Sequence, residues 1–151
     1  MKKFKALLFA FVLTGMTLVS CSSNDDVLAG PAPTIEGKWN QIQTVVTING
    51  TAVPTTYDSN EPGCTKDYLE FATASIFNDV VYFKQSGVCQ QSIATPRIWT
   101  KTNNSLTISG DTDLSGTYEI VKLTNTELQI KISKNIGGTP STAVIYMNKT
   151  L

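Results

Sequence analysis

From Ile35 onward the chain reads as strands, and this pattern most constrains what it can fold into. Leu128, Ile130 and Ile132 alternate with Gln129, Lys131 and Ser133, and Leu106 and Ile108 alternate with Ser105, Thr107 and Ser109. A period of two with one apolar and one wet face is the signature of an antiparallel sheet buried on one side. Helix-period apolar stripes are missing, Thr, Val, Ile and Tyr are abundant, and turn signals recur about every eight to twelve residues.

The punctuation fixes a strand order. A long first strand over 35–48 meets Asn49-Gly50, a strong two-residue hairpin signal. The chain returns over 51–57, where Pro54 confines the strand to an edge or a bulge. A polar loop, 58–63, leads to Cys64, and strands are expected over 68–71 and 76–84. Ser86-Gly87 turns into Cys89, and 89–96 reads as a looser polar stretch. Strands at 97–102, 105–109, 116–123, 127–133 and 142–148 complete the run, with turns at Asn103-Asn104, 124–126 and 135–138. The expectation is an all-β, antiparallel meander of about eight strands. Such a sheet has free edges that curling into a barrel removes.

The first 34 residues read differently. Three lysines (Lys2, Lys3, Lys5) precede an apolar run from Ala6 to Val19. Charge followed by a short apolar stretch is the layout of a secretory signal. That run falls short of the roughly 20 residues that span a bilayer. It ends in Leu18-Val19-Ser20-Cys21, which resembles the lipobox of bacterial lipoproteins. The resemblance implies cleavage after residue 20 and a lipid on Cys21, giving a membrane partner and a place in the cell envelope, at the outer membrane. The alternative is an ordinary signal peptide with a cysteine beside its cut. Residues 21–34, small, polar and proline-bearing, are expected to be a flexible lipidated tether, leaving 35–151 as one domain.

Losing three lysines leaves nine basic against twelve acidic residues. A net charge of about −3 offers no footing for nucleic acid, which demands a basic patch. If Cys21 carries lipid, Cys64 and Cys89 are the remaining thiols, in a compartment that favours a disulfide. The rival, a redox or metal-binding pair, finds no CxxC spacing and no histidine in support.

The domain resembles the lipocalin-like domains of small Gram-negative lipoproteins. Four features carry the likeness: Gly37-Lys38-Trp39 opening the first strand, Cys64 through Phe71 with its Lys66-Asp67 pair, Cys89 after the next strand, and the succession from Trp99 through Tyr118 to Leu128. Two departures stand out: Arg97-Ile98-Trp99 replaces a second Gly-x-Trp, and no Asp-Gly turn follows Phe71. The resemblance implies a lipocalin-like up-and-down barrel with Trp39 packed across its closed end. Eight strands leave an interior that side chains just fill, or that holds one small ligand.

Trp39, Phe71, Phe83, Trp99, Tyr118 and Tyr146 are therefore candidates to line a ligand cavity, or simply to fill the core. Asp111-Thr112-Asp113 has calcium-like spacing but too few oxygens, and reads as a solvated loop. Asp67, Glu70 and Asp79 fall at no diagnostic spacing for paired-carboxylate catalysis. No catalytic residue, metal ligand or cofactor is nominated, and an enzyme is not expected. The expected function is binding of a small apolar or amphipathic ligand. The alternative is a non-catalytic interaction subunit of the envelope with a filled barrel.

Overall fold

A computed structural model describes residues 31–110 and 113–150. The expected signal segment, Cys21 and most of the tether lie outside the described residues. Ten strands form: β1 (Gly37–Ile48), β2 (Thr51–Thr56), β3 (Tyr68–Phe71), β4 (Ile76–Gln85), β5 (Val88–Ile93), β6 (Arg97–Thr102), β7 (Ser105–Ser109), β8 (Gly116–Leu123), β9 (Glu127–Ile136) and β10 (Thr139–Lys149). A 3-10 turn at Thr73–Ser75 links β3 to β4. Among the described residues no helix is long and apolar enough to cross a membrane.

All pairings are antiparallel, and eight strands close a ring in the order β1-β3-β4-β6-β7-β8-β9-β10, with β10 returning to β1. The meander expected from the alternation is thus a closed barrel. The two remaining strands extend it. β2 pairs with residues 43–48 of β1, along the edge that β3 takes up over 37–39. β5 pairs with residues 80–85 of β4, on the edge that β6 shares over 76–77. The β4–β5 hairpin therefore rises beyond the ring as one arm, and the β1–β2 hairpin, still laddered to β10, forms the other. Asn49 and Gly50 both adopt positive φ, as a two-residue turn matched to strand twist requires. Pro54 sits in β2, whose outer edge is free, so its missing N–H costs no ladder bond.

β5 departs from expectation, since its segment read as a polar stretch. Its six residues are all exposed, so neither face carries the apolar stripe that marks a half-buried strand. The last hairpin is also longer than expected: Gly137-Gly138 alone makes the turn, and the flanking strands run to Ile136 and from Thr139.

The lower half of the barrel, where β1 begins and β10 ends, is packed solid. Trp39 is 0% exposed, and its indole N–H donates to the Ile35 carbonyl at 2.7 Å. Phe71 meets Phe77 at 5.1 Å between ring centroids and Trp99 edge-on at 5.6 Å. Leu106, Ile108, Ile120, Leu128, Ile130, Ile145 and Met147 fill the remainder. The Lys149 ammonium lies 5.1 Å over the Trp39 ring, stoppering that end with an amphipathic side chain.

Two bulges reset the alternation. In β1 the register shifts between Gln41 and Gln43, so Trp39 and Gln41 point inward below the shift, and Thr44, Val46 and Ile48 above it. The inward assignment follows from their partners Met147, Ile145, Ala143 and Ser141 on the core face of β10. In β8 a second shift between Ile120 and Lys122 returns Leu123 to the partner of buried Leu128.

Candidate functional site

Above the packed layer the barrel changes character. The next inward positions after Trp39 on β1 and Phe77 on β4 are Gln41 and Asp79, a polar pair where the layer below is apolar. A cavity of about 150 Å³ opens here, lined by Gln41, Tyr57, Asp67, Asp79, Val81 and Leu114 among others. That is about the size of a dry apolar cavity that takes benzene, and below the roughly 300 Å³ of drug-sized sites.

Backbone geometry puts the two carboxylates there. Residues 58–66 leave the wall between β2 and β3, and Asp67 is the first residue back. Its Oδ1 accepts the Tyr82 N–H at 2.7 Å, capping the β4 edge just beyond its pairing with Tyr68. Its Oδ2 accepts the Tyr57 hydroxyl at 2.8 Å, its N–H donates to Asn60 Oδ1, and its carbonyl accepts from the Asn40 amide. Asp67 is buried, and these bonds offset the cost of removing its charge from water.

Asp79 is held differently. Its carboxylate makes no hydrogen bond and no ion pair within 4 Å among the described residues. Burial pushes its pKa above the ordinary carboxylate value, Arg97 pulls the other way, and Asp67 adds to the rise. Arg97 also points inward, paired with Phe77, and its Nη1 is buried without a hydrogen-bond partner. The Tyr57 hydroxyl is held protonated, first by burial and then by its bond to Asp67.

Over this cavity the two arms present an apolar inner surface. Ten large apolar side chains among the described residues stay exposed, and five of them, Ile48, Val53, Val81, Phe83 and Val88, fall on the inner face by register. Val53 is 56% exposed and Val88 60%. No ladder joins β2 to β4 or β5 above Asp67, so the wall is split between the arms. Val81 belongs both to this exposed apolar surface and to the lining of the cavity beneath it. Leu114, from the β7–β8 loop, packs on the core beside the cavity, and its carbonyl accepts the Tyr118 hydroxyl at 2.8 Å.

The outer side of the β4–β5 arm carries the disulfide. Cys64 and Cys89 are bonded, with Cα atoms 5.7 Å apart. The 58–66 loop is thereby fastened to the arm, and Lys84 adds a hydrogen bond to the Pro62 carbonyl and a 3.8 Å ion pair with Glu61.

A family model for the lipocalin-like domain matches residues 35–130. The chain belongs to that family. The lipocalin-like barrel is also similar to a bovine odorant-binding protein, a deswapped triple mutant, at 19% identity and a TM-score of 0.42 over 76% of this chain and 73% of that one. Comparison with curated proteins returned no match.

The lipocalin-like barrel does not gather the six candidate aromatics into one site. Trp39, Phe71, Trp99 and Tyr118 pack in the core. Phe83 lies on the inner face of the β4–β5 arm, 40% exposed. Tyr146 is a correction: it lies on the outer face, paired with Gln43 and Gln129, because its neighbours Ile145 and Met147 take the inner positions. Sequence reasoning missed Gln41, Tyr57 and Val81 and gave Asp67 and Asp79 no shared role. Among the described residues no three His, Cys, Asp or Glu side chains are placed to hold a metal ion. Asp111 and Thr112 of the calcium-spaced loop lie outside the described residues, and Asp113 is exposed.

Proposed function

We propose that this lipocalin-like protein is a lipid-anchored, non-catalytic binding module of the cell envelope, at the outer membrane, and that it takes a small amphipathic ligand in the cleft between its arms. One observation carries the binding reading: apolar side chains on the inner face of both arms stay open to solvent, above a small cavity that holds two carboxylates. Burying such side chains stabilises by about 25 cal/mol per Å², so a ligand laid across them gains affinity that the protein itself leaves unused. Support for the anchor is the Leu18-Val19-Ser20-Cys21 sequence alone.

Intact-mass and native mass spectrometry of the protein purified from its own host test both halves. The expected result is a chain beginning at Cys21 with a mass increment of two or three acyl chains, carrying a co-purifying molecule that is lost when Val53→Asp and Phe83→Asp are combined. An unmodified N-terminus would remove the anchor, and repeated absence of a bound molecule would count against the module.

A second reading, an interaction subunit of the envelope, draws on the solidly packed lower barrel and the free edges of β2 and β5. It predicts instead that a protein partner, and no small molecule, protects the arms.

A further inference from the structure

We infer that the cleft selects ligands with a cationic head, an alkyl ammonium whose charge sits against Asp79 at the cavity while its tail lies along the inner faces of the two arms. This rests on the binding reading above and names the ligand class for the same site.

Three observations converge. Among the described residues the cavity is lined by two carboxylates, Asp67 and Asp79, and by no basic side chain. Of the two, Asp67 is already committed to Tyr57 and Tyr82, whereas Asp79 faces inward with no donor of its own among the described residues. Val81, two residues along the same inner face, links the cavity to the exposed apolar surface of Phe83 and Val88 on its own arm. An ionised carboxylate can only accept hydrogen bonds, and an ammonium is donor-only, so the two are matched in charge and in bonding. A fatty-acid carboxylate placed there would meet like charge from both aspartates. The volume of about 150 Å³ accommodates an ammonium and its first methylenes, and the tail must extend into the cleft.

The charged groups around Asp79 set its pH response. Asp67 faces it from the start of β3, Arg97 from β6, and Tyr57 from the end of β2. Asp113 stands exposed next to Leu114. Asp79 holds its proton above the usual carboxylate range, so an ammonium ligand finds its counter-charge only after the pH has risen through that raised value. Affinity for an amine should therefore climb as the pH rises through that raised value, while affinity for an alcohol stays level.

The test is isothermal titration of the purified domain with hexylammonium, 1-hexanol and hexanoate, which share a tail and differ in head. The expected order is ammonium tightest by about tenfold over the alcohol, hexanoate weakest, with the ammonium advantage lost at low pH and in Asp79→Asn. If Asp79→Asn fails to fold, the pH dependence of the unaltered protein decides alone. Equal affinity for all three would overturn the cationic preference and leave the apolar cleft standing. Hexanoate binding tightest would overturn it in favour of Arg97 as the head-group partner. Binding of none would overturn both the preference and the cleft.

Discussion

Replacing Trp39 with alanine is expected to cost about 3–5 kcal/mol, the range for deleting a large buried aromatic. Trp39 is fully buried, and its indole N–H is the donor to the Ile35 carbonyl, so the change removes packing and leaves an acceptor unpaired. Small domains hold only about 5–15 kcal/mol in total, so the variant should sit near the edge of folding at ambient temperature. Chemical denaturation followed by far-UV circular dichroism measures this directly. Trp39→Phe keeps a ring in the layer and should lose less than half as much. Similar losses for the two would mean that the indole bond, rather than packing, holds this end of the barrel together. A loss under about 1 kcal/mol for the alanine variant would contradict the packed lower core.

The second large effect concerns the cystine. Changing Cys64 and Cys89 together to serine frees a loop of 25 residues and should destabilise by about 3.5 kcal/mol in the loop-entropy model. For a domain of this size that is a fall in Tm of roughly 10 °C. The loss should be uneven. Among the described residues β5 pairs only with β4 and is exposed throughout, so the bond to the 58–66 loop is its main tie to the rest of the wall. Amide exchange is expected to quicken in residues 80–93 well before it does in β8, β9 and β10. An unchanged melting curve under strong reductant would show that the arm is secured by other contacts.

Much of this architecture could be read from residue order because short-range rules govern it. Alternation in β7 and β9, the Asn49-Gly50 turn and Pro54 on an edge all follow from neighbours within one hairpin, and the buried place of Trp39 is the one the lipocalin resemblance implies. Cysteine pairing was legible once only two thiols remained to pair. The site was not legible, for three physical reasons. The bulge after Gln41 swaps inner and outer faces midway through β1, so Val46 and Ile48 cannot be placed from the phase set by Trp39. Asp67 and Asp79 meet through the closure of β3 on β4 and the detour of 58–66, contacts that no local spacing records. β5 is exposed on both faces, so Val88-Cys89-Gln90-Gln91-Ser92-Ile93 shows no stripe at all. Tyr146 was misplaced because β10 is apolar on both faces, and only its pairing with Leu128 and Ile130 tells them apart.

On the binding reading proposed above, the ligand sits at the split rim, where the inner apolar rows of β1–β2 and β4–β5 continue past the closed ring. The larger recesses, of about 450 and 470 Å³, lie on the outer face of β7–β9 and at the tips of β1, β9 and β10, and they are lined mainly by polar side chains.

The most direct measurement is methyl NMR of the domain, labelled at valine, leucine and isoleucine, during titration with hexylammonium at neutral pH. The account predicts saturable shifts at Val46, Ile48, Val53, Val81 and Val88, with the deep methyls of Leu106, Leu128 and Ile130 unmoved. Shifts confined to the outer-face Ile76, Ile93 and Ile98, or no saturable shift at any methyl, would contradict it.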